Sequence, residues 1–264
     1  MSRKRPCGNT GNNYNTRAIK RDIDNLNNAL ALNGQAMLDG PKKKTWTYHD
    51  LAVKKPLTRI QEEMYHEFFN GNNICACGSA GTGKTFAALY LALCELLNKN
   101  NPIDHIIIVR SAVPTRDVGH LPGTLEEKIA VYELPYHDMF MEFFGQYNSY
   151  QNMKDANLIE FCSSSYVRGV SWNNAVIIID EAQNMTWEEL DSVITRVGTN
   201  SRIIVCGDES HQRDLKKGET TGFHIGIRIM SDLKSFSVLH FTHFDIVRSE
   251  FVKQWIMARD RLDM

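Results

Sequence analysis

The sequence predicts an α/β protein built on a doubly wound, mostly parallel sheet. Three observations carry this. Near-continuous apolar runs of strand length recur along the chain, as parallel strands covered on both faces require. Helical patterns alternate with them, which is the signature of a βαβ succession. One joint between such a run and an Ala/Leu-rich helix is a glycine loop of the kind that holds an anion at a helix N-terminus.

From the N-terminus, residues 1–21 hold six Lys/Arg and no Asp/Glu, with Asn and Gly between them. They read as a basic arm, either a solubilising tail or a nucleic-acid contact. Residues 22–40 have a short helical pattern ending at a glycine, and Pro41-Lys42-Lys43-Lys44 is a basic linker. The expected division is therefore an arm and linker over 1–44 and one α/β domain over 45–264. Trp46-Thr47-Tyr48 reads as a short strand. Thr58–Asn70 reads as an amphipathic helix with Ile60, Met64, Phe68 and Phe69 on one side. Strands are expected at 73–77, 105–110, 158–163, 175–180, 202–207 and 237–242. Helices are expected at 84–98, 125–131, 135–149, 186–197, 220–233 and 248–261.

Composition limits the function classes. The chain has 264 residues, 42% of them hydrophobic and 23% charged, with a net charge of −1. Any nucleic-acid contact must then come from local patches rather than a global basic field. No apolar stretch approaches the length of a membrane span, and the basic start Met1-Ser2-Arg3-Lys4-Arg5 has no apolar signal core behind it. A cytoplasmic protein is expected. The six cysteines show no C-x-x-C spacing and no zinc-finger His. Cys75-x-Cys77 places two thiols on one face of a strand, which reads as small buried hydrophobes or, less simply, as a metal or redox pair.

Gly78-Ser79-Ala80-Gly81-Thr82-Gly83-Lys84-Thr85 fits G-x-x-x-x-G-K-[ST] at every fixed position. Its glycines let successive N–H groups point at a polyphosphate; Lys84 reaches the β and γ phosphates and Thr85 can ligate Mg²⁺. Phe86 follows directly and opens the helix. The second signal is Val176-Ile177-Ile178-Ile179-Asp180-Glu181, a buried strand releasing two carboxylates at its C-terminal end. Asp180 is placed to hold Mg²⁺, and Glu181 to deprotonate a water. An Asp-Glu pair at a strand end can also be merely structural. Read as chemistry, a Glu beside the metal Asp equips a hydrolase rather than a small-molecule kinase. Gly207-Asp208 ends a further apolar strand, and Asp208 and Gln212 are candidates to sense the γ-phosphate; Asp208 can equally cap the next segment. Phosphoryl transfer also gains from arginine, and Arg110, Arg168 and Arg248 are candidates, each with an ordinary salt bridge as the alternative. Tyr132, Tyr136 and Phe140 can stack on bases, although Tyr136 and Phe140 at i and i+4 fit one core-facing stripe better.

With these positions in view, the chain resembles the PhoH family of P-loop ATPases, in particular its short phage-encoded members. The resemblance runs from about Trp46 to Arg259. It rests on Pro56–Gln61, Arg110-Ser111-Ala112 through Leu121-Pro122-Gly123 to Glu127-Lys128, Arg168-Gly169, Asp180-Glu181-Ala182-Gln183-Asn184, Ile194–Gly198, and Asp245-Ile246-Val247-Arg248. It implies a RecA-like core similar to superfamily 1 helicases, ATP and Mg²⁺ as cofactors, and RNA or single-stranded nucleic acid as partner. It also implies an adenine-reading role for Gln61 and a γ-phosphate-linked role for Gln183. There is length for one such core, so the resemblance implies a homo-oligomeric, hexameric ring to complete the site, with Arg168 or Arg248 able to act in trans. Two departures stand out. The stretch 207–215 carries one residue more than the family's G-D-x-x-Q-x-D-L, and Ser111 replaces a usual proline.

Overall fold

The computed structural model describes residues 46–111, 125–167, 169, 171–209 and 221–262. The basic arm, the helical pattern at 22–40, the Leu121-Pro122-Gly123 stretch, Arg168 and Gln212 lie outside them.

Six strands form one sheet: β1 (Asn73–Gly78), β2 (His105–Arg110), β3 (Ile159–Ser163), β4 (Ala175–Asp180), β5 (Arg202–Gly207) and β6 (Phe236–Phe241). Their order is β3-β2-β4-β5-β1-β6, and every neighbouring pair is parallel. The apolar runs sit where the pattern places them, within a residue at each end. All six residues of β4 are buried, whereas β3 and β6, the two edges, mix buried, half-buried and exposed positions.

Among the described residues, seven α-helices accompany the sheet: α1 (Arg59–Phe69), α2 (Lys84–Leu97), α3 (Leu125–Phe144), α4 (Ser149–Asp155), α5 (Trp187–Ile194), α6 (Phe223–Asp232) and α7 (Glu250–Leu262). Side chains alternate along each strand, so the sheet has two cores. Ile74, Ala76, Ile106, Ile108, Val176, Ile178 and Ile204 pack on one face against Met64, Phe68, Leu89, Leu93, Phe140 and Phe143. Cys75, Cys77, Ile107, Val109, Ile177, Ile179 and Val205 pack on the other against Leu190, Val193, Phe223 and Met230. That is the doubly wound arrangement, and it holds the C-terminal strand ends together along one rim.

Three expectations fail locally. Trp46-Thr47-Tyr48 is not a strand: Thr47 begins a 3₁₀ turn over Tyr48–Asp50, because the Asp50 carboxylate accepts from the Thr47 N–H at 2.8 Å. Residues 125–131 and 135–149 are not two helices meeting at Pro135. The helix runs through Pro135 as α3; proline removes one N–H donor, and the exposed side at Val131 and Leu134 leaves room for water to serve the freed carbonyl. It ends instead at Gly145, which takes φ +65° and donates its N–H to Met141. Helix 186–197 is also shorter than its pattern. Thr186 is its cap, with the reciprocal Thr186–Glu189 capping box, and Ile194 closes it.

Candidate active site

The glycine loop leaves β1 at Gly78, whose φ is +120°. A Cβ there would lie 1.9 Å from the Phe241 carbonyl oxygen on β6, so only glycine permits this approach of two backbones. Ser79 N–H then donates to that same carbonyl at 3.0 Å. Gly81 and Gly83 also take positive φ, +76° and +77°, which turns the loop back over the start of α2.

Lys84 is buried, and its ammonium donates to the carbonyls of Gly78 and Ser79 at 2.7 Å each. Burial pushes its pKa below the ordinary value, opposed by nearby acidic groups that include Asp208, Glu181 and Asp180. The loop thus holds a preformed cation at its centre. Thr82 Oγ1 donates to Ser79 O at 3.0 Å, closing the loop on itself.

Asp180 ends β4, which β5 separates from β1. It nevertheless meets the loop: Thr85 Oγ1 donates to Asp180 Oδ1 at 2.7 Å. The other carboxylate oxygen accepts from the Tyr136 hydroxyl at 2.7 Å, with Arg110 Nη1 at 4.0 Å. Thr85 and Asp180 offer hard oxygen donors side by side, the donor set that suits Mg²⁺ and not a soft metal. The adjoining cleft, about 1060 Å³, is lined by the loop, Phe86, Arg110, Asp180, Glu181, Gln183, Asp208 and Arg248 among others, and it is large enough for a nucleotide.

Glu181 has φ +53°, a left-handed conformation that costs a non-glycine residue about 1 kcal/mol or more. It swings the chain out of β4 into the turn Ala182–Asn184. Gln183 is thereby brought back so that its amide donates to Glu181 Oε2 while its carbonyl accepts the Asp208 N–H at 2.9 Å. One side chain therefore ties the carboxylate at the end of β4 to the main chain at the end of β5. Burial, reinforced by neighbouring Asp180, raises the Glu181 carboxyl above the usual range.

The remaining predicted residues fall as follows. Gln61, on α1, is buried; its amide donates to Thr82 O at 2.9 Å and its carbonyl accepts from Leu57 N–H at 2.7 Å. It braces the loop from behind its glycines. Arg248 is exposed at the cleft of its own chain, where its Cγ would meet a Cβ at Gly81 at 3.1 Å and Val247 N–H donates to Gly81 O. Phe86 packs on Phe143 with ring centroids 4.6 Å apart. Asp208 is buried at the end of β5. Tyr136 and Phe140 are fully buried, as the core stripe implies, and so are not free to stack on bases. The sequence reading missed Tyr136 as a partner of Asp180. Its one signal was a hydroxyl on an otherwise aromatic, core-facing stripe. It also left Gln183 and Asp208 as separate candidates, when they form one hydrogen-bonded link.

A parallel sheet with a glycine loop on one strand, an acidic pair on another and a single strand between them defines a RecA-like P-loop NTPase. The family model described as PhoH-like protein matches residues 53–260, and the chain belongs to the PhoH family. It is 34% identical over 204 residues to a PhoH-like protein of Synechocystis sp., covering 76% of this chain and 61% of that protein. It is 35% identical over 205 residues to a PhoH-like protein of Bacillus subtilis (strain 168), covering 77% and 63%. The chain thus spans somewhat less than two thirds of these relatives. Both are bacterial and lend no support to the phage-encoded branch. Among solved structures, the large terminase of bacteriophage HK97 aligns at 13% identity with a TM-score of 0.49, covering 83% of this chain and 50% of that one. Among the described residues, no helix is long and apolar enough to cross a membrane.

Proposed function

We propose that the protein is a Mg²⁺-dependent ATP hydrolase of the PhoH type that couples turnover to RNA or single-stranded nucleic acid as a homo-oligomer. The observation carrying the hydrolase reading is the convergence of Thr85, Asp180 and Glu181, with Gln183 linking Glu181 to Asp208. Thr85 and Asp180 would hold Mg²⁺, which when bound screens phosphate charge. Lys84 binds the β and γ phosphates from the loop. Glu181, with its raised proton affinity, takes the proton of the attacking water. Gln183 orients Glu181 and passes the change in the site to the end of β5. Arg110 and Arg248 line the cleft and add positive charge there. Gln61 fixes the loop and reads the base.

Nucleic acid and ring formation rest on the family resemblance and the basic arm. The alternative is an ATP-dependent switch or adaptor that clamps RNA or a protein without translocating; it is favoured by the internal Glu181–Gln183–Asp208 link, which can report nucleotide state without a motor. A small-molecule kinase is disfavoured by Glu181, which promotes the water attack a kinase must avoid. Steady-state ATPase measured with and without single-stranded RNA and DNA, beside mass in solution with and without ATP, separates these. Stimulation by nucleic acid together with a ring supports the motor. Hydrolysis indifferent to nucleic acid supports the switch. No hydrolysis without a small acceptor removes both.

A further inference from the structure

The rim of the sheet carries a second cluster that ATP hydrolysis does not use. Cys77 on β1 is the register partner of His240 on β6 and of Gly207 on β5. Neighbours in register point to one face, and Glu209, two residues past Gly207 and beyond the end of β5, comes to the same place. The result is three different ligand types in one place: Cys77 Sγ, His240 Nδ1 and a Glu209 carboxylate oxygen all lie within 4.8 Å of one another. Cys77 Sγ and His240 Nδ1 are 3.3 Å apart, and His240 Nδ1 is 3.3 Å from Glu209 Oε1. That Glu209 oxygen is buried and has no hydrogen bond of ordinary geometry among the described residues.

We propose that Cys77, Glu209 and His240 form a binding site for a transition-metal ion of the Zn²⁺ class, distinct from the Mg²⁺ position at Thr85 and Asp180. Metal–ligand lengths of about 2.3 Å to sulfur and about 2.0–2.2 Å to nitrogen and oxygen place tetrahedral ligand atoms roughly 3.3–3.6 Å from one another. The two observed separations of 3.3 Å lie at the short end of that range and the third pair lies within 4.8 Å, so a small side-chain adjustment seats an ion. The thiol selects against Mg²⁺, which takes oxygen ligands. Cys77 is fully buried, while the side chains of Glu209 and His240 are 34% and 61% exposed. The site is therefore rooted in the core and open on one side, leaving a fourth position to solvent. It joins the ends of β1, β5 and β6 one residue before Gly78, so an occupied site fixes the strand from which the phosphate loop departs.

The test uses the full chain, nucleotide-free, and Co²⁺ as a spectroscopic probe. One equivalent is expected to give thiolate-to-metal charge-transfer absorption with tetrahedral d–d bands, and Zn²⁺ is expected to displace it. His240→Ala and Glu209→Gln alter partly exposed positions and leave the core intact; each should weaken Co²⁺ binding roughly tenfold or more. Cys77→Ser should abolish the charge-transfer band, and Cys75→Ser should keep it. Absence of a thiolate band in the unsubstituted protein would overturn the proposal. So would a band unchanged in both His240→Ala and Glu209→Gln, or one that depends on Cys75 in place of His240, since the ligands would then be a cysteine pair.

Discussion

Glu181 is asked to be both strained and half-buried, and both conditions bear on what its removal does. Its left-handed backbone turns Gln183 toward it, and burial raises its proton affinity. Glu181→Gln keeps the shape and a hydrogen-bond acceptor while deleting the base. ATP binding should persist and turnover should fall by roughly 10²-fold or more; normal turnover would remove Glu181 from the base role. The same shift makes a stability statement. A carboxyl whose folded pKa lies above its unfolded value favours the folded state while protonated, below the unfolded pKa. That contribution is lost as pH rises through the folded pKa. Glu181→Gln should therefore raise the melting temperature at neutral pH, with the gain shrinking in acid; an equal gain at both would mean the carboxyl carries no such penalty. Tyr136 gives a second test at this scale. Its hydroxyl orients Asp180 Oδ2 from the side opposite Thr85. Tyr136→Phe should raise the Mg²⁺ concentration needed for half-maximal ATPase by roughly tenfold, leaving metal-free nucleotide binding unchanged. An unaltered Mg²⁺ requirement would make the hydroxyl merely a satisfied core group.

At the scale of elements, the site depends on how β1 and β6 run side by side. Gly78 lets the Phe241 carbonyl approach where a Cβ would sit at 1.9 Å. Gly78→Ala should cost about 2–4 kcal/mol, from a disallowed backbone and from overpacking against main chain. Urea unfolding would measure it, and nucleotide affinity should fall with it; a loss below about 1 kcal/mol would show that β6 can retreat. The strands were legible in the sequence because buried parallel strands are nearly pure apolar runs, and Ile177, Ile178 and Ile179 admit no other reading. The loop and Asp180-Glu181 were legible because their chemistry demands particular residues at fixed spacing. Tertiary relations were not. Pro135 looks like a break but sits where a helix tolerates it. Gly145 looks like a helix interior but caps one. Tyr136 meets Asp180 across 44 positions of sequence, and Cys77 meets His240 across 163; no local pattern encodes which strands become neighbours.

The whole molecule carries a net charge of −1, so a long-range field does not draw it to nucleic acid. Any phosphate-backbone affinity has to be concentrated, and residues 1–21 offer one such basic segment, with six Lys/Arg and no acidic residue. Each phosphate neutralised on a single strand contributes about 0.7 to the slope of log affinity against log salt. If two or three of those six charges engage the backbone, deleting residues 1–21 should flatten that slope by roughly 1.5–2 and weaken binding at low salt by at least tenfold. The nucleotide cleft is lined by residues from Val53 onward, so basal ATPase should be unchanged by the same deletion, and any stimulation by RNA or single-stranded DNA should be reduced. Anisotropy titrations with a fluorescent oligonucleotide at several salt concentrations, paired with ATPase assays on the same samples, read both quantities. An unchanged slope and unchanged stimulation would move nucleic-acid contact onto the folded ATPase core and leave the arm as a solubilising tail.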